Sequence, residues 1–240
     1  MAKKNSLLNM LGTVSFLVTA GGAAYWFLVR PWHRAWGTTP DETTRRLPGD
    51  DLLPNAAYSA THAITIDASV EQVWPWLVQI GAGRAGFYSY DEIENAMNLD
   101  IHSSNRIVPE LQALKVGDTL PLAPDGFGPK VAILEREKAL VLHGDSRSGE
   151  GVAIPGLKPG EYLAVMWGFY LEPIDERHTR LIERFHLDYP LTNKNQFYYR
   201  VFLEPGSFVM ERKMLLGIKA RAERSEPAEL GAHDELTASE

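Results

Sequence analysis

Residues 7–29 carry no charged side chain and only a few polar ones. At about 1.5 Å per residue a helix of this length spans roughly 34 Å, enough for a bilayer's hydrocarbon core. From residue 61 the pattern changes to short alternations. His62-Ala63-Ile64-Thr65-Ile66 sets Ile64 and Ile66 on one face and predicts a half-buried strand. Ser69 and Gln72 have the spacing of a capping box, so a helix is expected directly after it, kept short or kinked by Pro75. A second such spacing, Ser89 and Glu92, predicts a helix with Ile93, Ala96 and Met97 on one face. Residues 108–111 read as one further turn. Strands are predicted at 119–122, 130–137 and 139–143, separated by turn residues such as Asp125-Gly126. Residues 161–172 are apolar almost throughout and predict a central strand, and 179–189 alternate again as its hairpin partner. A long helix is expected over 208–224, capped by Ser207. Its stripe is Phe208, Leu215, Ile218 and Ala222, with Glu211, Arg212, Lys213, Lys219 and Glu223 mostly off it. Helices segregated from a run of strands make the class α+β.

The chain divides accordingly into an N-terminal transmembrane anchor (1–30), a proline-punctuated linker (31–60), one α+β domain (61–224) and an acidic tail (225–240) expected to be disordered. Small residues at 20–24 offer a signal-peptidase site, but the apolar run continues past them, which favours an uncleaved single-pass anchor. Trp26, Trp32 and Trp36 near its exit suit a bilayer interface. Arg30, Arg34, Arg45 and Arg46 outweigh Lys3 and Lys4 and favour a cytoplasmic domain; Lys3 and Lys4 ahead of the run favour the reverse. The net charge of −7 and scattered cations argue against nucleic-acid binding. The absence of cysteine removes disulfides, thiolate metal sites and a cysteine nucleophile.

Several stretches carry a resemblance: residues 73–79 (Val-Trp-Pro-Trp-Leu-Val-Gln), 83–91 (Gly-Arg-Ala-Gly-Phe-Tyr-Ser-Tyr-Asp), 101–103 (Ile-His-Ser), 109–112 (Pro-Glu-Leu-Gln), 116–118 (Val-Gly-Asp), 179–182 (Thr-Arg-Leu-Ile) and 210–215 (Met-Glu-Arg-Lys-Met-Leu). In these, and in its order of elements, the chain resembles the START-like (SRPBCC) superfamily of polyketide cyclase/dehydrase type, in a bacterial, often membrane-associated branch. The resemblance implies a helix-grip fold, a curved antiparallel sheet around the C-terminal helix, with a cavity for a lipid or other apolar small molecule. It does not select among lipid transfer, cyclisation and simple binding.

In such a fold Tyr88, Tyr90 and Trp167 are candidates to line the cavity, against a plain role in the core. If the turn near Glu176 sets the register, Trp167 and Phe169 share the face of Arg184 and His186. Arg184 is then an anchor for a carboxylate or phosphate, or else an arginine on a solvated face. Asp91 and Glu94, one turn apart, with His102 and Arg106, are an acid–base set, though Asp91 also suits a helix N-terminus. His186 is a third catalytic candidate. No histidines stand at chelating spacing, so no metal is expected, and no cofactor. Gly81-Ala82-Gly83-Arg84-Ala85-Gly86 matches a dinucleotide fingerprint literally, but a helix rather than a strand precedes it. The readings are therefore a membrane-anchored binder of an apolar molecule, a cyclase-, dehydrase- or isomerase-type enzyme using Asp91, His102 or His186, or a ligand-free interaction module.

Overall fold

The computed structural model describes residues 20–148 and 161–224. Most of the apolar run at 7–29 and the whole acidic tail lie outside the described residues. Among the described residues no helix is long and apolar enough to cross a membrane.

One antiparallel sheet of five strands, in the order β1-β5-β4-β3-β2, carries the domain. The strands are β1 (Tyr58–Ile66), β2 (Lys130–Glu135), β3 (Ala139–Asp145), β4 (Ala164–Pro173) and β5 (Thr179–Asp188). The helices are α1 (Arg30–Arg34), α2 (Pro40–Thr44), α3 (Val70–Val78), α4 (Asp91–Ala96), α5 (Asn193–Tyr198) and α6 (Glu204–Ala222). Strands β2 to β5 form a meander, and β1 returns from the start of the domain to pair with β5. Helix α6 lies across one face of this sheet. Its Met214, Leu215, Ile218 and Ala222 share a core with Ile64, Ile66, Phe169, Leu171 and Leu181 and with Val73, Trp76 and Leu77 of α3. This is the helix-grip arrangement.

Three local expectations change. The segment 119–122 is not a strand; Thr119 makes only an isolated bridge to Lys130. The second capping box does not form: Tyr90 is the N-cap of α4, and the Ser89 hydroxyl donates instead to the Met210 carbonyl at 3.2 Å. Ser207 caps nothing, because α6 begins at Glu204 and runs on from α5 through a π-helical turn (Tyr199–Leu203). The wide turn absorbs the hydrogen bond that Pro205 cannot donate, so Pro205 and Gly206 leave the helix continuous. Thr192 is the actual cap, accepting from the Asn195 amide at 3.2 Å. The first box, by contrast, forms as expected, with the Ser69 amide donating to Gln72 at 3.0 Å.

The stretch 31–60 is not a free linker. Its residues 39–53 close over the outer face of the sheet, where Leu47 and Leu53 join Ala63, Val141, Met166, Tyr170 and Ile182 in a second core. Arg184 fastens this strap. Its guanidinium donates to Asp50 (2.7 Å), to the carbonyls of Glu42 (2.6 Å) and Arg45 (2.9 Å), and to Thr61 (3.2 Å). Arg180 adds a two-pronged pair with Glu42 at 2.7 and 2.8 Å. Proline and mixed charge mimic a linker in sequence; the long-range partners on β5 order it.

Candidate functional site

Register decides which side chains meet α6. On β5, Leu181, Glu183, Phe185 and Leu187 stand opposite Leu171, Phe169, Trp167 and Val165 of β4. On β1, Ile64, His62, Ala60 and Tyr58 continue the same rows. These rows form the face under the helix. Arg184 and His186 pair instead with Gly168 and Met166 and point to the outer strap. The expectation that they share a face with Trp167 and Phe169 is thus corrected. The hairpin closes at the pair Pro173 and Thr179, which brings odd residues opposite odd ones.

On the inner face three polar side chains converge between the two apolar ends. His62 Nδ1 lies 3.0 Å from Glu183 Oε2 and 3.4 Å from Glu211 Oε2, with His62 and Glu183 fully buried. His62 Nε2 is 2.8 Å from the His33 carbonyl. A carbonyl can only accept, so Nε2 carries a proton. The Trp167 indole N–H donates to the second Glu183 oxygen at 2.7 Å. Glu211 Oε2 is buried without a hydrogen-bond partner. The Phe208 ring stands against the rings of both His33 and His62, at 5.5 Å each.

The electrostatics follow from this enclosure. Burial opposes a charged His62, but the hydrogen bond and charge of Glu183, the charge of Glu211 and the His33 carbonyl outweigh it and bring the imidazole up to about 9. Burial, then the Glu183 charge, pushes Glu211 up to about 8, with His62 opposing. Burial, then the charges of His62, Arg30 and Arg34, holds His33 down at about 4. Burial and mutual charge thus raise both His62 and Glu211 within one enclosed cluster on the face under α6.

Each member of this cluster occupies a position that its own element reserves for apolar side chains. His62 shares its face with Ile64, Glu183 lies between Leu181 and Phe185, and Glu211 falls three residues after Phe208 and four before Leu215. Glu211 is therefore on the helix stripe, contrary to expectation, and is only 8% exposed. A charged residue on an apolar face was the signal available in sequence.

The other candidates are dispersed. Tyr88 is buried in the core; its hydroxyl donates to the Trp76 carbonyl at 3.2 Å and accepts from Gln79 at 2.8 Å. Tyr90 is half-buried beside Lys213. Phe169 lies in the main core and Trp167 at its edge. Asp91 is saturated by Ser103, accepting from its amide at 2.7 Å and its hydroxyl at 2.6 Å. His102 is exposed and paired with Asp100 at 3.0 Å. His186 is half-buried under the outer strap, with burial lowering its pKa. Asp91, His102 and His186 are not brought to one site. Glu94 is buried beside Asp91, and burial followed by the Asp91 charge raises it to about 7. The glycine-rich 81–86 loop closes through a Gly81–Gly86 bridge, and Arg84 donates from it to the carbonyls of Val78 (2.8 Å) and Ile80 (3.0 Å) at the end of α3.

Beyond this cluster, towards the start of β4 and the end of β5, a cleft of about 260 Å³ is lined by Glu161, Tyr162, Pro190, Lys194, Asn195, Tyr198 and Tyr199. Tyr199 stacks on buried Tyr189 at 3.8 Å. The same end exposes Leu191, Phe197, Tyr198, Val201, Phe202 and Val209, and next to them Trp26, Phe27, Leu28, Val29 and Trp32. Arg30 joins the two groups by a paired contact with Glu204 at 2.7 and 3.0 Å, and Tyr25 donates to the Arg200 carbonyl at 2.8 Å.

No family model matches the chain, and no curated protein matches it. Among solved structures it is similar to a protein from Mesorhizobium loti, with 16% identity and a TM-score of 0.42 over 70% of this chain and 99% of that one. A hypothetical protein from Helicobacter pylori matches with 13% identity and a TM-score of 0.45, over 77% and 98%. The aromatase/cyclase Zhui from a Streptomyces species matches with 12% identity and a TM-score of 0.32, over 70% and 94%.

Proposed function

We propose that the protein is a membrane-anchored, helix-grip binder of a lipid or other apolar small molecule, taken up from the bilayer at the end of the sheet near α5. The observation that carries this reading is the group of exposed apolar side chains Leu191, Phe197, Tyr198, Val201, Phe202 and Val209, with 26–29 and Trp32 beside them, of which Tyr198 also lines the cleft. A soluble surface seldom leaves so many large side chains together without a partner. A bilayer is the occupant that fits. Four residues of this group, 26–29, belong to the uncharged run 7–29, the group is rich in Trp, Tyr and Phe, and the exposed Lys194 stands among them, as suits an interface with anionic headgroups. Under α6, the cluster of His62, Glu183 and Glu211 is the polar end at which such a molecule would be oriented.

The test uses the full chain in lipid nanodiscs. Organic extraction with mass spectrometry is expected to recover a stoichiometric apolar molecule, and a fluorescent fatty acid is expected to bind saturably. Phe197→Asp with Phe202→Asp is expected to slow uptake at an unchanged melting temperature. Recovery of no such molecule together with no saturable binding refutes the reading. An enzymatic reading draws its support from the same buried cluster rather than from Asp91, His102 or His186. It requires turnover of the extracted molecule that Glu211→Gln abolishes while binding persists.

A further inference from the structure

We propose that His62, Glu183 and Glu211 form a binding site for one divalent transition-metal ion. The three ligand atoms, Nδ1 of His62 and one oxygen of each carboxylate, lie within 4.8 Å of one another. Two ligands each about 2.1 Å from a metal, at angles between octahedral and tetrahedral, stand roughly 3.0–3.4 Å apart. The His62–Glu183 and His62–Glu211 separations are 3.0 and 3.4 Å. Two of the three edges thus have the lengths of a coordination shell, and the third, between the two carboxylates, is within 4.8 Å.

The surrounding bonds orient the ligands as metal sites do. Donation from His62 Nε2 to the His33 carbonyl keeps that proton on Nε2, so a metal that displaces the Nδ1 proton meets the Nδ1 lone pair facing both carboxylates. The Trp167 indole holds one oxygen of Glu183 at 2.7 Å and leaves the other, Oε2, facing His62. Glu211 supplies an independent observation: its Oε2 is buried, directed at His62 and without a hydrogen-bond partner. A dication balances the two carboxylates, which an enclosed site otherwise leaves with one imidazole between them. One imidazole and two carboxylates suit Zn²⁺, Mn²⁺ or Fe²⁺, and no thiolate is present to select a softer ion. Three protein ligands leave coordination positions for water or for an oxygen of a bound molecule. The inference rests on this geometry and not on the lipid-binding reading.

The full chain, purified in detergent and stripped with a chelator, is titrated with Zn²⁺, Mn²⁺ and Co²⁺ by equilibrium dialysis and elemental analysis. One ion per chain is expected, with a raised melting temperature and, for Co²⁺, visible absorption of a nitrogen–oxygen shell. Glu211→Gln and His62→Ala are expected to abolish stoichiometric binding, and Trp167→Phe to weaken it by about 10- to 100-fold. Melting of the stripped variants separates lost binding from lost folding. Because Glu211→Gln keeps the shape of the side chain, binding that survives in a folded Glu211→Gln protein overturns the site. So does a wild-type chain that retains no more metal than that variant, which leaves a plain buried ion pair.

Discussion

Gly217 of α6 lies directly against the backbone of Tyr88: a Cβ at 217 would run into the Tyr88 carbonyl and stand 2.7 Å from the Tyr88 Cβ. Tyr88 cannot yield. Its φ of 58° is left-handed, its amide donates to Ser103 at 2.9 Å, and its hydroxyl is held by Trp76 and Gln79. Gly217→Ala is therefore expected to destabilise by at least ~2 kcal/mol through overpacking. Urea denaturation with an unchanged m-value checks this; a midpoint equal to wild type contradicts the close approach.

Arg184 is expected to be a structural clasp. Arg184→Met removes a buried cation, leaves Asp50 with only the Leu47 amide and deprives two strap carbonyls of this donor, at a cost of about 3–5 kcal/mol. The same change is expected to make residues 39–53 the first site of limited proteolysis. Cleavage there at the wild-type rate would show that the strap holds without it.

The raised pKa of Glu94 gives stability a defined pH dependence. In the unfolded chain this carboxyl ionises near 4.5, whereas in the fold it keeps its proton to about 7. The folded state thus binds the extra proton, and stability is lost as pH rises between those values, by ~1–3 kcal/mol. Glu94→Gln is expected to raise the melting temperature at pH 8 and to change it little at pH 4.5. An equal effect at both pH values would refute the assignment.

Helix α6 is expected to be indispensable. Ending the chain after Leu203 removes Phe208, Met214, Leu215 and Ile218, all buried, and uncovers His62 and Glu183. At roughly 1.5–3 kcal/mol per side chain the loss is comparable to a typical total stability of about 5–15 kcal/mol. No cooperative melting transition is expected by calorimetry, and one near the full-length temperature would contradict the role of the helix as the sheet's closure.

What the sequence by itself determined were the features that depend on neighbours a few residues away. The Ser69 and Gln72 cap, the alternation of Ile64 and Ile66, the α+β order and the Phe208, Leu215, Ile218 and Ala222 stripe are all of this kind. Helix and strand periodicities repeat within one element, so they can be read locally. The tertiary structure decided what depends on pairing across the chain. Closure of the β4–β5 hairpin at Pro173 and Thr179 turned Arg184 and His186 away from α6 and brought Glu183 under it. His62 and Glu183, 121 residues apart, meet only when β1 pairs with β5. The strap at 39–53 has no periodicity of its own and is ordered by Arg180 and Arg184 on a distant strand. A one-residue change of register inverts every face of a strand, and local pattern carries no information on which register long-range burial selects.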